Sequence, residues 1–470
     1  IKLVRNREDK DSRSYVLLHR RLKFMRLFLI TIMIIFMSGI ITWLNTQAHD
    51  VGIDVSKSKL NSLSFAPFRK GQDPLKGIFP DPEEINEDLS LMADITHFIR
   101  SYSSTRSMET IPAQAEKYGL KMIQGAWLGY DKKKNKEEID ALIKSANQYP
   151  NVVKRVIVGN EVLLRGEMEP EHLIKYIREV KTSVKQPVSY ADVWSMYMKY
   201  PQLIREVDFI TIHILPYWED EPVAVEDAPG HIERAYKIVQ AEVERMTPGK
   251  IVFIGETGWP GRGRQRGLAE PSVINQATFI RELIKTANKN GFDYNLIEAF
   301  NQPWKSQLEG VVGGHWGLFS AERQQVFPLT GPVMENSGWY WSWLLASLLV
   351  LVMLTIYRKR LQNLCVKNLL ILVSFAQLLS IILFISMDEL WQTSYSLEQQ
   401  TKVLFIVIIS VLMAGLIISQ VYKKLIGSNT VNLSASLLYG FYCLFVVFAI
   451  LDTYELASYG RYLSFPYFMY

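Results

Sequence analysis

Cysteine is nearly absent from this sequence. Cys365 and Cys443 are the only two in 470 residues, and both lie in or beside apolar runs. The polar middle of the chain therefore has no disulfide framework and no thiol chemistry; disulfides are common outside the cytoplasm but not required there. Histidine is scarce as well, with seven scattered residues. No Cys/His spacing suggests zinc, so neither a metal nor another cofactor is expected. A glycine-rich phosphate loop is also missing. The first strand-like run ends in Pro67-Phe68-Arg69-Lys70, where an open nucleotide-binding sheet would need glycines. The net charge is only +5, and much of it sits next to apolar runs. It reads as membrane topology and not as nucleic-acid binding.

Long apolar runs, by contrast, are plentiful. A helix crossing a bilayer needs about 20 apolar residues, because lipid satisfies no free peptide group. Five segments qualify: Leu27–Leu44, Trp339–Tyr357, Leu369–Met387, Val403–Val421 and Leu433–Leu451. Arg20, Arg21, Lys23 and Arg26 precede the first; Arg358, Lys359, Arg360 and Lys367 separate the second and third; Lys423 and Lys424 separate the fourth and fifth. The loop between the third and fourth carries Asp388, Glu389 and Glu398 against Lys402. Positive charge stays inside, so every alternation places the large middle on the outer side. The expectation is a multi-pass protein of the cytoplasmic (inner) membrane with its globular domain on the periplasmic or extracellular side. The first run is too long for a signal peptide and lacks a clear cleavage site, so it reads as a retained anchor. The expected organisation is a basic cytoplasmic segment 1–26, an anchor 27–44, an outer domain 45–338 and a four-helix membrane domain 339–470. The chain opens on Ile1 and closes on Tyr467-Phe468-Met469-Tyr470, unlike a polar tail, so a cut end is expected at either terminus.

The middle alternates β-rich runs with helical patterns. The runs are Leu63–Phe68, His97–Tyr102, Lys121–Ala126, Val153–Val158, Gln186–Tyr190, Phe209–Ile212, Ile251–Ile254 and Tyr294–Ala299. Several are continuously apolar, as strands covered on both faces should be. Between them, Asp81 and Pro82 suit the cap and first position of a helix burying Ile85, Leu89 and Met92. Asn135 is expected to cap a helix striped by Ile139, Leu142, Ile143 and Ala146, and Pro170 to open one with Leu173, Tyr176, Ile177 and Val180 inward. Gly119 marks a helix stop. Eight such units predict an α/β fold, a (β/α)8 TIM barrel, flanked by one N-terminal and about four C-terminal transmembrane helices.

Chemistry in a TIM barrel sits at the C-terminal ends of the strands. The fourth run leads into Val158-Gly159-Asn160-Glu161 and the seventh into Ile254-Gly255-Glu256-Thr257-Gly258-Trp259-Pro260. A carboxylate directly after a buried strand is costly unless paired or at an active mouth. Either glutamate alone would be explained as well by a structural salt bridge. Two of them, each after glycine and followed by aromatics, suit glycoside cleavage: one carboxyl protonates the leaving oxygen, and the other attacks the anomeric carbon or activates water. Asn160 is placed to hydrogen-bond a sugar 2-hydroxyl, or serves as a turn residue.

Together with Glu298-Ala299-Phe300-Asn301-Gln302-Pro303-Trp304-Lys305, these motifs resemble glycoside hydrolase family 17, over roughly Asn61 to Pro332. The likeness is to its bacterial membrane-bound branch, in which the barrel is tied to transmembrane segments and, in some members, to a glucan synthase module. The resemblance implies a retaining β-1,3-glucanase or glucan transglycosylase, with Glu161 as acid/base and Glu256 as nucleophile, their carboxyls about 5–5.5 Å apart. It leaves hydrolysis and transfer, and endo and exo action, open. The other strand ends fit a sugar cleft: Tyr102 orients the nucleophile, and His213, Tyr217 and Glu298 line the site. Trp218, Trp259 and Trp304 are expected to stack on pyranose rings, although each is also a candidate core residue. Arg262, Arg264 and Arg266 form either a solvated loop or a contact to substrate hydroxyls. Expected partners are β-1,3-glucan or its oligosaccharides, the lipid bilayer and a glucan synthase, with no nucleic acid. The competing reading is a glucan-binding module serving a membrane-embedded synthase or export complex.

Overall fold

The computed structural model describes residues 2–55, 59–394, 397–428 and 433–459, so the final run 467–470 lies outside the described residues. Two compact units are present: Ala48–Glu335, and Ile1–Gln47 together with the helices after Asn336.

The first unit is a closed barrel of eight parallel strands in sequence order. They are β1 (Leu60–Ser64), β2 (Thr96–Arg100), β3 (Lys121–Ala126), β4 (Val153–Asn160), β5 (Val188–Val193), β6 (Ile210–His213), β7 (Val252–Thr257) and β8 (Asp293–Leu296). Leu63 pairs with Leu296 to close the ring. All eight expected strands exist; β3 has the expected bounds, and the others have at least one shifted end. Pro67 cannot extend a ladder, so β1 stops at Ser64, and β5 begins only after Pro187.

Side chains of one strand parity meet the surrounding helices in the main core, where Leu63, Ile99, Met122, Val156 and Ile254 are buried. Ile123, Ile157, Ala191, Phe209 and Phe253 form a separate cluster. Polar side chains accompany this second set. Ser62 Oγ lies 2.5 Å from Asn295 Oδ1, and Asn295 Nδ2 donates to Ser64 Oγ at 2.8 Å and to Gly255 O at 2.9 Å. A polar layer thus supports the C-terminal mouth.

Helix entry follows local chemistry. Asp81 and Glu84 form a reciprocal capping box on Pro82–Ile95, which buries Ile85, Leu89 and Met92. The helix Lys132–Gln148 corrects an expectation. Asp131, not Asn135, caps it by accepting from the amides of Lys133 and Lys134. Asn135 is buried one turn further on, where it bonds both the N–H and the carbonyl of Gly129.

Among the described residues of the second unit, four helices are long and apolar enough to cross a membrane: Arg21–Asn45, Trp339–Leu361, Val366–Gln392 and Leu397–Leu425. The fifth expected span falls in the helix Leu433–Tyr459, whose apolar stretch Ala435–Leu451 is shorter. Inside this unit the Gln377 amide donates to Ser38 Oγ at 3.1 Å and to Ser347 Oγ at 3.0 Å. Such bonds join helices where apolar contact alone offers no selectivity.

Candidate active site

The ends of β2, β4, β6 and β7 converge on one cluster. At β4, Gly159 has φ +87° and the following Glu161 has φ +52°, in the left-handed region that non-glycine residues rarely occupy. The register against β5 shifts between Ile157 and Asn160. The Glu161 amide then donates to Ala191 O at 2.8 Å. This irregular exit fixes Glu161 at the mouth and not in the ladder. At β7, a Cβ on Gly255 would meet Thr211 Cγ2 at 2.4 Å, so only glycine lets β7 lie this close to β6 beneath Glu256.

His213, at the end of β6, lies between the two carboxylates. Its Nδ1 is 2.7 Å from Glu161 Oε1 and its Nε2 is 3.6 Å from Glu256 Oε1. One oxygen of each glutamate and one ring nitrogen all fall within 4.8 Å of one another.

The residue that organises this cluster is Arg100, on β2, and nothing in the sequence singled it out. It is 1% exposed. Nη1 donates to Glu256 Oε1 and to Gly255 O, each at 2.8 Å, and Nη2 donates to Asn160 Oδ1 at 2.6 Å. Nη2 also lies 3.4 Å from His213 Nε2.

Burial alone would raise the Glu256 carboxyl. His213, Arg100 and Lys305 outweigh it, with a hydrogen bond from Tyr102, and hold it below its usual range. Glu161 has no such cage, and its side chain is 23% exposed against 6% for Glu256. The two carboxylates therefore differ in environment: one is buried in a field of positive charge, and the other is partly exposed to solvent.

The remaining candidates separate in the structure. The Tyr102 hydroxyl lies 2.8 Å from Ser64 Oγ, and its ring lies 4.8 Å from the Arg100 guanidinium. Burial and the nearby Glu256 raise its hydroxyl well above its usual range. Asn160 is buried and serves Arg100. Glu298 is buried against Lys305 Nζ at 3.0 and 3.1 Å. Burial still pushes it up to about 7. Trp218 and Trp304 are half-buried. Trp304 donates to Gln302 Oε1 at 2.8 Å, and the Arg266 guanidinium sits 5.1 Å from the Trp218 ring. Tyr217 is buried, its hydroxyl donating to Arg264 O at 2.5 Å. Arg266 donates to Tyr217 O at 2.7 Å, so the basic loop braces this aromatic pair. Burial and Arg262 lower His315 to about 4.

Trp259 requires a correction. It is 0% exposed, donates to Glu270 O at 2.9 Å and packs on Phe279. Its ring belongs to the core and offers no face to a sugar.

Besides Arg100, the sequence reading passed over Lys305 and Asp192. Asp192 is fully buried at the end of β5, where Tyr190 and the Val193 amide donate to it. Burial pushes it up to about 6. Arg100 ends the mixed run Thr96-His97-Phe98-Ile99 two residues before Tyr102, a pattern that does not mark it in the sequence.

Glu161, His213 and Glu256 also have the types and spacing of metal ligands. A dication there would face the Arg100 guanidinium already bound to Glu256 Oε1, which opposes that use. A cavity of 780 Å³ opens at the other end of the strands, beside Asn61, Arg281 and Asp293. That is the face of a TIM barrel that carries stability and not chemistry.

A family profile described as the BtgE/BtgC glycoside hydrolase domain matches residues 62–317. A glucan 1,3-beta-glucosidase of Arthroderma benhamiae is 28% identical over 299 residues, covering 60% of this chain and 96% of its own length. Another, of Schizosaccharomyces pombe, is 28% identical over 252 residues, covering 50% and 76%. An endo-laminarinase of Formosa superposes with a TM-score of 0.50 at 20% identity, over 56% of this chain and 84% of that one, which shows a shared fold.

Proposed function

Since the chain belongs to glycoside hydrolase family 17 through its BtgE/BtgC glycoside hydrolase domain, and is on that ground a glycosidase acting on β-1,3-glucan, we propose that it works by retaining double displacement with Glu256 as nucleophile and Glu161 as acid/base. The observation that carries this reading is the contrast between the two carboxylates. Glu256 is buried yet held ionised by Arg100, His213 and Lys305, as a nucleophile must be. Glu161 stands at the mouth on an irregular backbone, 2.7 Å from His213. The separation within 4.8 Å suits a retaining pair and is short of the ~6.5–9.5 Å that an inverting pair needs to admit water.

In the first step Glu256 attacks the anomeric carbon while Glu161 protonates the departing oxygen. In the second, Glu161 takes a proton from water or from an acceptor sugar hydroxyl, which displaces Glu256. The side-chain carbonyl of Asn160 is taken by Arg100, which leaves its amide hydrogens for the substrate 2-hydroxyl. Trp218 and Trp304 offer partly exposed ring surface to pyranose faces. The four long apolar helices support membrane anchoring, and the charge alternation supports placing the barrel outside. A glucan synthase is the partner such an anchored enzyme would serve, acting on chains as they emerge.

Substitution separates the roles. Glu256→Ala should abolish turnover of both laminarin and an activated aryl β-glucoside. Glu161→Ala should slow laminarin cleavage by ~10²–10⁴-fold yet retain the first step on the aryl substrate, with azide releasing a β-configured product. Azide rescue of Glu256→Ala to a β-azide, or inversion by the wild type, would sink the assignment.

A further inference from the structure

We propose that Trp127 and Tyr130, in the loop after β3, form the subsite for the glucosyl units on the leaving-group side of the scissile bond, and hence for the acceptor sugar in transfer. This rests on Glu161 being the acid. That group must touch the departing oxygen, so the leaving half of the glucan lies over the end of β4, flanked by the loops after β3 and β5.

Two large aromatic side chains stand there in the open. Trp127 is 44% exposed and Tyr130 is 74% exposed. Scattered exposed apolar residues need no explanation, but these two lean on the segment that carries Glu161. The Arg165 guanidinium lies 4.5 Å from the Trp127 ring centroid, and its nitrogens donate to Asn160 O at 2.5 Å and Leu128 O at 3.0 Å. The Tyr130 hydroxyl donates to Gly166 O at 3.3 Å.

The loop beneath them is rigid. Buried Asn135 bonds the N–H and the carbonyl of Gly129 at 2.9 and 2.8 Å, and Glu138 accepts from the Trp127 amide at 3.2 Å. The rings are therefore held in place before any ligand arrives, which lowers the ordering cost of binding. Arg165 covers one side of the indole, and the exposed remainder suits a β-glucosyl ring, whose equatorial hydroxyls leave C–H surfaces above and below.

The consequence concerns the second step. When the Glu256–C1 bond breaks, the attacking oxygen comes from water or from a sugar hydroxyl, and its proton goes to Glu161 in both cases. An aromatic platform beside Glu161 raises occupancy by the sugar and so favours transfer over hydrolysis.

The test uses the full chain in detergent with laminaripentaose, scoring shorter and longer products together. Trp127→Ala should raise KM about two- to tenfold and lower the ratio of transfer to hydrolysis by a similar factor. Trp127→Phe should recover part of each, and Tyr130→Ala, which removes an exposed ring and little packing, should act in the same direction. Calorimetry with laminaripentaose in the Glu256→Gln background should show the same loss of affinity on adding Trp127→Ala, with no turnover involved. Unchanged KM, product ratio and affinity in both alanine variants would overturn the proposal. So would a fall in kcat on an aryl β-glucoside matching that on laminaripentaose with KM unmoved, because that pattern is a displaced Glu161. Failure of azide to rescue Glu161→Ala would instead remove the acid assignment, a result independent of the calorimetry.

Discussion

Replacing Arg100 with methionine tests whether this arginine holds Glu256, the proposed nucleophile, ionised. The change keeps much of the side-chain volume and deletes a charge whose Nη1 is 2.8 Å from Glu256 Oε1. With charge centres about 4 Å apart and an effective dielectric near 20, the pair interacts by about 4 kcal/mol. His213 and Lys305 still face Glu256, and water enters the vacated space, so the carboxyl should rise by less than this interaction alone would give. The sign follows from the residues that remain: the carboxyl now held low would be governed by its burial and would bind its proton at higher pH. A protonated carboxyl cannot attack, so the acid limb of kcat/KM, which reports the free enzyme's essential base, should move to higher pH. Arg100→Lys should bring it part of the way back. The variant will also be less stable, because Asn160 Oδ1 loses its buried donor, at about 1–3 kcal/mol, while Gly255 O keeps the Asn295 amide. Rates should therefore be taken well below its melting temperature. A uniform loss of rate with the acid limb unmoved would refute the reasoning and leave Arg100 a purely structural residue.

Three further outcomes are expected. Trp259→Ala should cost about 3–5 kcal/mol of barrel stability, read as a lower temperature of inactivation with KM unchanged; Trp218→Ala should raise KM for laminari-oligosaccharides, and the reverse pattern would restore Trp259 to the cleft. Burial raises Glu298 from 4.5 to about 7, so the folded state keeps that proton where the unfolded chain has lost it. Its stabilising share, complete below about 4.5, is lost as pH rises toward about 7; thermal melts of Glu298→Gln should be flatter across that window, and an unchanged pH slope counts against the assignment. In a background lacking Cys365 and Cys443, single cysteines in the barrel and at Gln392 should label from outside intact cells, while outside labelling at Lys359 would reverse the topology.

Much of the barrel was legible because parallel strands covered on both faces read as apolar runs, and because capping is local: Asp81 and Glu84 close their box within one turn. The same locality misled at Asn135. Its type suits a cap, but Asp131 lies nearer the first helical amides, and Asn135 is drawn instead to Gly129. Order along the chain could place Glu161 and Glu256 at one mouth, since all strands of a parallel barrel run the same way and both residues lie at the C-terminal ends of theirs.

By itself, then, the sequence determined the strand–helix alternation, the apolar helices and the strand-end placement of Glu161 and Glu256, because each is written in contiguous residues. Only the tertiary structure decided what surrounds those carboxylates. Arg100 reaches Glu256 across 156 positions of chain, and His213 reaches Glu161 across 52. The fate of each tryptophan was likewise a matter of packing: Trp259 faces the helix carrying Phe279 and is core, while Trp127 lies at the rim on Arg165 and is exposed. Burial and electrostatic field are sums over neighbours brought together by the closed barrel, and no window of sequence contains them.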